Sequence, residues 1–157
     1  MKIYQYAMRA HRETRAAYMV CEKTFNSKDE IHLDCPDKLA EFLNEYADAS
    51  ELPNEKTWLF CFDASLRLLG FSEVTQGVHD QAMFDIKRTM QLALMSGAYA
   101  ISVAHNHPSG ACQPSDPDLQ STKRLEEACR ILDIKCLDHI IVGYKGYVSL
   151  REMGVMH

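Results

Sequence analysis

The chain has 157 residues, of which 46% are hydrophobic and 25% are charged, as expected for one globular domain with a substantial core. Its formal net charge of −5 gives it no overall basic character, which argues against a protein that binds nucleic acid through the phosphates. No signal peptide or membrane-spanning run is recognisable, and the six cysteines form no Cys-x-x-Cys pair, so we expect a soluble, cytoplasmic protein with free thiols and no membrane partner.

The first half of the chain predicts two strands, a helix and two further strands. Residues 1–30 contain two short strands, near Ile3–Tyr6 and Ala17–Cys21. A proline in the first turn and a helical apolar stripe predict a helix over Pro36–Ala47. The nearly continuous apolar run Thr57–Phe62 is typical of a central strand, and Leu66–Val74 follows it closely enough to form an antiparallel neighbour.

The second half continues the alternation of helices and strands. Apolar residues at helical spacing predict a helix over Gln81–Ser96. The small and β-branched run Tyr99–Ala104 predicts a buried strand, and a second helix is expected over Asp116–Leu132. Two closing strands are expected at Ile134–Val142 and Gly146–Leu150. This order predicts an α/β fold in which a mixed β-sheet is flanked by helices.

A possible metal site begins where the strand before His105-Asn106-His107 ends. Residues two apart on a strand point to the same face, so the two histidines can reach one metal ion while Asn106 points away. Ser115 and Asp118 follow at the start of the next helix, which must pack back onto the sheet. Ser-x-x-Asp also occurs simply as a helix-capping device, but two imidazoles and a carboxylate together are the ligand set of an open catalytic zinc site.

Three further polar residues are candidates for supporting roles near this site. Cys112 lies in the loop between the histidines and Ser115, where it is either a plain loop residue or a regulatory or metal-binding thiol. Asp138 and His139 are neighbours on a predicted strand, so their side chains should point to opposite faces and cannot chelate one ion together. Either of them could instead orient a metal-binding histidine through a hydrogen bond.

The complete pattern, His-x-His-x7-Ser-x-x-Asp, resembles the signature of JAMM (MPN+) zinc metalloproteases. The runs His-Asn-His-Pro-Ser-Gly, Leu137–Gly143 and Tyr147–Ser149 also resemble the bacterial RadC family of JAMM-type proteins, over about residues 34–154. The resemblance implies the MPN/JAB-domain architecture, which is similar to that of cytidine deaminases. Full-length RadC proteins usually carry an N-terminal helix-hairpin-helix region, which has no counterpart here. We therefore expect residues 1–33 to form a short extension packed on a JAMM domain of residues 34–157.

The resemblance also implies a role for each site residue. His105, His107 and Asp118 would hold Zn²⁺, and the hydroxyl of Ser115 would stabilise the oxyanion of the reaction. The general base of JAMM enzymes is a glutamate at the start of a core strand after the first helix, a position that Glu55 occupies. Glu73 on the neighbouring strand is the alternative, and Glu51 is a more remote third. Each of these glutamates could also simply mark the end of a strand or a loop.

These features favour a zinc metalloprotease of JAMM type that cleaves a peptide or isopeptide amide bond in an unidentified peptide or protein substrate. The alternative is a DNA-associated accessory protein of RadC type without peptidase activity, although the acidic composition argues against direct DNA binding. A scaffold that has lost its metal is disfavoured by the intact ligand set. A zinc deaminase would need a Pro-Cys-x-x-Cys motif, which the chain lacks.

Overall fold

The computed structural model describes residues 1–26, 35–76 and 85–157, with three α-helices and seven strands in these ranges. In chain order the elements are β1 (Lys2–Ala10), β2 (Ala17–Asn26), α1 (Pro36–Ala47), a 3₁₀ turn (Ala49–Glu51), β3 (Lys56–Phe62), β4 (Leu68–Gln76), α2 (Ile86–Ser96), β5 (Ala100–Asn106), α3 (Asp116–Ile131), β6 (Lys135–Gly143) and β7 (Gly146–Ser149). No helix in the described ranges combines the length and the apolar character needed to cross a bilayer.

The seven strands form one mixed sheet in the order β2-β1-β4-β3-β5-β6-β7. The pairs β1–β4 and β5–β6 are parallel, whereas the other four pairs are antiparallel. The N-terminal strands β1 and β2 form a hairpin that extends the sheet beyond β4. Strand β5 therefore lies inside the sheet, between β3 and β6, and is buried along its whole length.

Helices cover both faces of the sheet, and each face has its own hydrophobic cluster. Helix α1 buries residues such as Phe42 and Leu43 against one face, with Phe60 of β3 at the centre of that cluster. Helices α2 and α3 pack on the opposite face, where Leu92 and Leu125 meet alternate residues of β3 and β5. Burial of both faces explains the continuous apolar runs in these strands. The predicted mixed sheet flanked by helices is confirmed.

The predicted boundaries were wrong at the start of β4 and in the N-terminal strands. The second strand of the β3–β4 pair starts at Leu68 rather than Leu66, since the Asp63 carboxylate accepts hydrogen bonds from the amides of Ser65 and Arg67 at 2.9 and 3.0 Å. Leu66 itself adopts a left-handed φ of 58°, which a strand residue does not have. The N-terminal strands are also longer than predicted, because the two pair along nearly their entire length.

Helix α2 begins at Ile86 in the described part of the chain, with the Asp85 side chain accepting a hydrogen bond from the Arg88 amide. The predicted start at Gln81 lies outside the described residues. The predicted end of α2 is confirmed: Gly97 adopts a left-handed φ of 70°, and the Gly97 amide closes the last turn of the helix. The other helix starts and strand positions were predicted to within a few residues.

Candidate metal centre

The candidate site lies where β5 leaves the sheet and α3 begins. His105 is the penultimate residue of β5, paired with Thr57 of β3 and Ile141 of β6, and is fully buried. His107 follows just beyond the strand, where its amide continues the ladder by donating to Val142. The short loop after it returns the chain to the start of α3, which brings Asp118 under the histidines.

The ligand atoms of His105, His107 and Asp118 lie within 4.8 Å of one another. The two Nε2 atoms are 2.9 Å apart, and each lies 3.3 Å from a carboxylate oxygen of Asp118. Nitrogen and oxygen ligands of a tetrahedral zinc ion, at about 2.0–2.2 Å from it, are separated by about 3.3 Å. The two nitrogen–oxygen distances match this separation, and the two nitrogens lie closer together. Asp118 Oδ1 is buried and accepts no hydrogen bond from the described residues, which leaves a lone pair for a cation.

The protonation states of the three side chains also suit a metal ion. Burial lowers the pKa of His105 well below its ordinary value, so this ring is neutral at pH 7. Burial alone would raise the pKa of Asp118, but hydrogen bonds from His107 and Ser115 hold it far below its usual range. The pKa of His107 is raised, chiefly by its hydrogen bond with Asp118, so a proton and a metal ion compete for this ring.

Ser115 and Asp118 form a capping box at the start of α3. The Ser115 hydroxyl accepts a hydrogen bond from the Asp118 amide at 3.3 Å, and the Ser115 amide donates to Asp118 Oδ2 at 2.7 Å. The cap fixes the carboxylate so that Oδ1 lies 3.3 Å from His105 Nε2 and Oδ2 lies 3.3 Å from His107 Nε2. Ser115 is exposed, so its hydroxyl group can be reached from solvent.

Glu55 lies beside this group at the entrance to β3. Although the residue as a whole is exposed, partial burial raises the pKa of its carboxyl group; the charge of His107 lowers this pKa and that of Asp118 raises it. The segment is fixed by Asn106, whose Oδ1 accepts a hydrogen bond from the Lys56 amide at 2.7 Å. Its Nδ2 donates to the carbonyl of the residue before Glu55 at 3.1 Å. Asn106 thus points away from the two histidines and holds the main chain on both sides of Glu55.

Glu73, the alternative base, has a different environment. Its Oε2 forms an ion pair with Lys56 Nζ at 3.1 Å, and its residue pairs with Trp58 in the β3–β4 ladder. The Glu73 carboxylate is thus engaged by a lysine, whereas Glu55 lies close enough to His107 and Asp118 for their charges to act on it. The third glutamate, Glu51, lies in the 3₁₀ turn. These environments favour Glu55 among the three.

His139 and Asp138 point to opposite faces of the sheet. His139 is buried and contacts His105, with Nε2 at 2.7 Å from His105 Nδ1. Asp138 instead accepts hydrogen bonds on the other side from the Ser149 hydroxyl at 2.6 Å and the Arg151 amide at 3.1 Å. Of the two, it is His139 that touches a candidate ligand.

Cys112 lies in the loop between the histidines and α3, where its thiol donates to the Gly146 carbonyl at 3.2 Å. It is not a member of the metal-binding group found among the described residues. The loop passes close to the end of β6: a Cβ atom at Gly143 would lie 2.5 Å from the Gly110 carbonyl oxygen. The thiol therefore helps fix the loop against the β6–β7 turn.

Two contacts of the site had no counterpart in the sequence-based prediction. The Ala111 carbonyl lies 2.8 Å from His107 Nδ1, and the Thr122 hydroxyl lies 2.6 Å from His139 Nδ1. A main-chain carbonyl leaves no signature in a sequence. Thr122 does carry one weak signal, since it stands one helical turn after Asp118 and so shares its face of α3.

Comparison with known proteins agrees with this geometry. Residues 33–155 match the family model described as a RadC-like JAB domain. A UPF0758 protein of Acidithiobacillus ferrooxidans is 39% identical over 122 residues, covering 78% of this chain and 54% of that protein. A UPF0758 protein of Thermotoga maritima is 34% identical over 122 residues, which cover 76% of this chain and 55% of the Thermotoga protein. The chain thus spans about half the length of these relatives. With the family model matched over most of its residues, the chain belongs to the RadC family and contains its JAB domain.

Proposed function

We propose that the chain is a zinc-dependent metallohydrolase that cleaves a peptide or isopeptide amide bond. The observation that carries this proposal is the convergence of two histidines and Asp118, whose Oδ1 is buried and accepts no hydrogen bond from the described residues. When bound there, zinc would supply Lewis acidity, which polarises a carbonyl and lowers the pKa of a coordinated water to about 7.

The chain's own residues would supply the proton transfers. Glu55 would take a proton from the attacking water and deliver it to the amine that leaves when the amide bond breaks. Its position beside His107 and Asp118 supports this role, because their charges act on its pKa. Partial burial raises that pKa, which makes the carboxylate a better proton acceptor than an ordinary glutamate.

Ser115 would stabilise the negative charge that develops on the carbonyl oxygen. Its hydroxyl proton is not used in the capping box, where the oxygen accepts from the Asp118 amide. A hydroxyl that accepts one hydrogen bond can still donate another. Donors of this kind contribute about 3–4 kcal/mol to the stability of a transition state.

We also propose a substrate class, a cellular compartment and a low affinity for DNA. The substrate would be a peptide or protein, since the amide is the bond that this site suits. Six free cysteines fit a reducing, cytoplasmic environment. We expect the chain to have little direct affinity for duplex DNA, because its net charge is negative.

The test is to measure zinc content and amide hydrolysis on the same purified protein. Elemental analysis after expression with added zinc should give about one ion per chain, and His107→Ala should abolish it. A screen of peptide and ubiquitin-like isopeptide amides should then identify a substrate class. Protein that takes up no zinc, or zinc-loaded protein that cleaves no amide in a broad screen, would contradict the proposal.

The matched pair Glu55→Gln and Glu73→Gln identifies the base. Each variant replaces a carboxylate with a nearly isosteric amide. Glu55→Gln should keep its zinc and lose hydrolysis, because an amide cannot accept the proton of the attacking water. Glu73→Gln should lose only the ion pair with Lys56 and retain hydrolysis. The reverse pattern would assign the base to Glu73.

A further inference from the structure

A buried chain of three hydrogen bonds connects two of the candidate ligands. His105 Nδ1 lies 2.7 Å from His139 Nε2, and His139 Nδ1 lies 2.6 Å from Thr122 Oγ1. Thr122 Oγ1 in turn donates to the main-chain carbonyl of Asp118 at 2.7 Å. All four residues are at most 1% exposed, so bulk water is not available as a substitute partner.

The direction of every hydrogen bond in this chain follows from its fixed end. A carbonyl oxygen only accepts, so the single hydroxyl proton of Thr122 points to Asp118. Thr122 Oγ1 must then accept from His139, which places a proton on His139 Nδ1. A neutral imidazole carries one proton, so His139 Nε2 accepts from His105 Nδ1. The opposite direction would leave two oxygens 2.7 Å apart with no proton between them.

The consequence for His105 is that its proton sits on Nδ1 and its Nε2 keeps a free lone pair. That nitrogen is the one that faces His107 and Asp118. His107 reaches the same tautomer through a single bond, since its Nδ1 lies 2.8 Å from the Ala111 carbonyl, which can only accept. The proton of the 2.9 Å contact between the two Nε2 atoms must then come from His107, and when a metal ion replaces that proton both imidazoles present a lone pair to one point.

We propose that Thr122 and His139 are positioning residues that hold His105 in the tautomer whose Nε2 is free to bind a divalent metal, an inference that rests on the proposed function. Neither residue binds the ion itself, because the hydroxyl and both ring nitrogens of His139 are occupied by the chain described above. Without the Thr122 acceptor, His139 can reverse its tautomer and donate to His105 Nδ1. The His105 proton then moves to Nε2, where it blocks the metal.

The chain contains a matched control for a test by substitution. Thr89 in α2 is also buried, and its hydroxyl donates at 2.8 Å to the carbonyl of Asp85, four residues earlier, as that of Thr122 does in α3. Thr122→Val and Thr89→Val therefore remove equivalent helix contacts, but only the first removes a partner of a histidine. Thr122→Ser restores the hydroxyl.

The measurement is zinc affinity of the full chain by competition with a chromogenic chelator. Thr122→Val should weaken binding about 10- to 100-fold, the usual effect of losing a partner that orients a metal ligand. Thr122→Ser should stay within about threefold of the wild type, and Thr89→Val should be unchanged. The proposal would be overturned if Thr122→Val kept the wild-type zinc affinity. It would also be overturned if Thr122→Val and Thr89→Val lost affinity equally, which would indicate only a loosened helix.

A second measurement needs no variant. Long-range ¹H–¹⁵N spectra of the metal-free wild-type protein should show protons on Nδ1 of both His105 and His139. A proton on Nε2 of His139 would overturn the proposal directly. Failure of the proposed function gives a different result from failure of this inference. If the wild-type chain binds zinc but cleaves no amide, the hydrolase assignment is wrong and the positioning role stands. If Thr122→Val has unchanged zinc affinity, the positioning role is wrong and the hydrolase assignment stands.

Discussion

Replacing Asn106 with alanine should separate metal binding from catalysis. The side chain makes two hydrogen bonds to the main chain on either side of Glu55, at 2.7 Å to the Lys56 amide and at 3.1 Å to the Asn54 carbonyl. Asn106 is 1% exposed. Losing a hydrogen bond of this kind costs about 1 kcal/mol, and more where the partner stays unpaired, so the free energy of unfolding should fall by about 2–3 kcal/mol in total.

The larger effect should be on turnover. The Asn106 contacts fix the segment that carries Glu55, and displacing a catalytic group by about 1 Å can lower a rate about a hundredfold. Zinc affinity should change little, because the hydrogen bonds found for the His105, His107 and Asp118 side chains do not involve residues 54–56. Hydrogen exchange at the Lys56 amide should accelerate, since this amide loses its acceptor.

The assays are zinc titration, urea unfolding and kcat on a substrate from the amide screen. Asn44→Ala is the control, because the hydrogen bond that the Asn44 side chain accepts comes from the Ser50 amide and not from the segment that carries Glu55. It should cost about 1 kcal/mol of stability and leave kcat unchanged. An Asn106→Ala protein that has lost stability but keeps full kcat per folded molecule would refute the idea that Asn106 positions the base.

Three further predictions follow from the site. Ser115→Ala should lower stability by about 1 kcal/mol and kcat by about a hundredfold with zinc retained; full activity per folded molecule would reduce Ser115 to a helix cap. In the metal-free protein, burial lowers the pKa of His139 to about 4, whereas the unfolded chain takes up this proton near the ordinary value of 6.5. The free energy of unfolding should therefore decrease as the pH falls from about 6.5 to about 4, by up to about 1.4 kcal/mol per pH unit, and His139→Gln should flatten this slope in urea titrations at a series of pH values. Gly143→Ala should weaken zinc binding at least about tenfold in a chelator competition, because its Cβ would lie 2.5 Å from the Gly110 carbonyl and displace the loop that orients His107; unchanged affinity would mean that the loop adapts.

Local patterns predicted most of the fold because the elements follow hydrophobic periodicity. The run Thr57–Phe62 is buried on both faces and was recognisable as a central strand. Errors arose where side chains bind the main chain, as in the turn at Asp63, which delays β4 by two residues. The extent of the N-terminal hairpin depends on pairing between β1 and β2, many of whose residues are exposed and give no apolar signal.

The candidate metal-binding group was predictable because its three members lie on one continuous segment. Their spacing alone placed two histidines on one strand face and Asp118 at the next helix start. The partners of this group come from other strands, and their positions depend on the register of the sheet. His139 reaches His105 only because β6 runs parallel to β5 with this particular alignment, which no local pattern encodes. The Asn106 contact with Lys56 likewise joins residues fifty positions apart.

The difference between ligands on one segment and partners on other strands affects how the site assembles during folding. The candidate ligands are connected by a short loop, whose closure costs little conformational entropy. Glu55 joins them only after β3 pairs with β5, a contact of high sequence separation that small domains form at greater entropic cost. Zinc binding thus depends on the contiguous β5–α3–β6 segment, because His139 of β6 contacts His105, whereas placement of the base also needs β3. Hydrolytic activity would then report completion of the central sheet, whereas zinc uptake would report only the β5–α3–β6 unit.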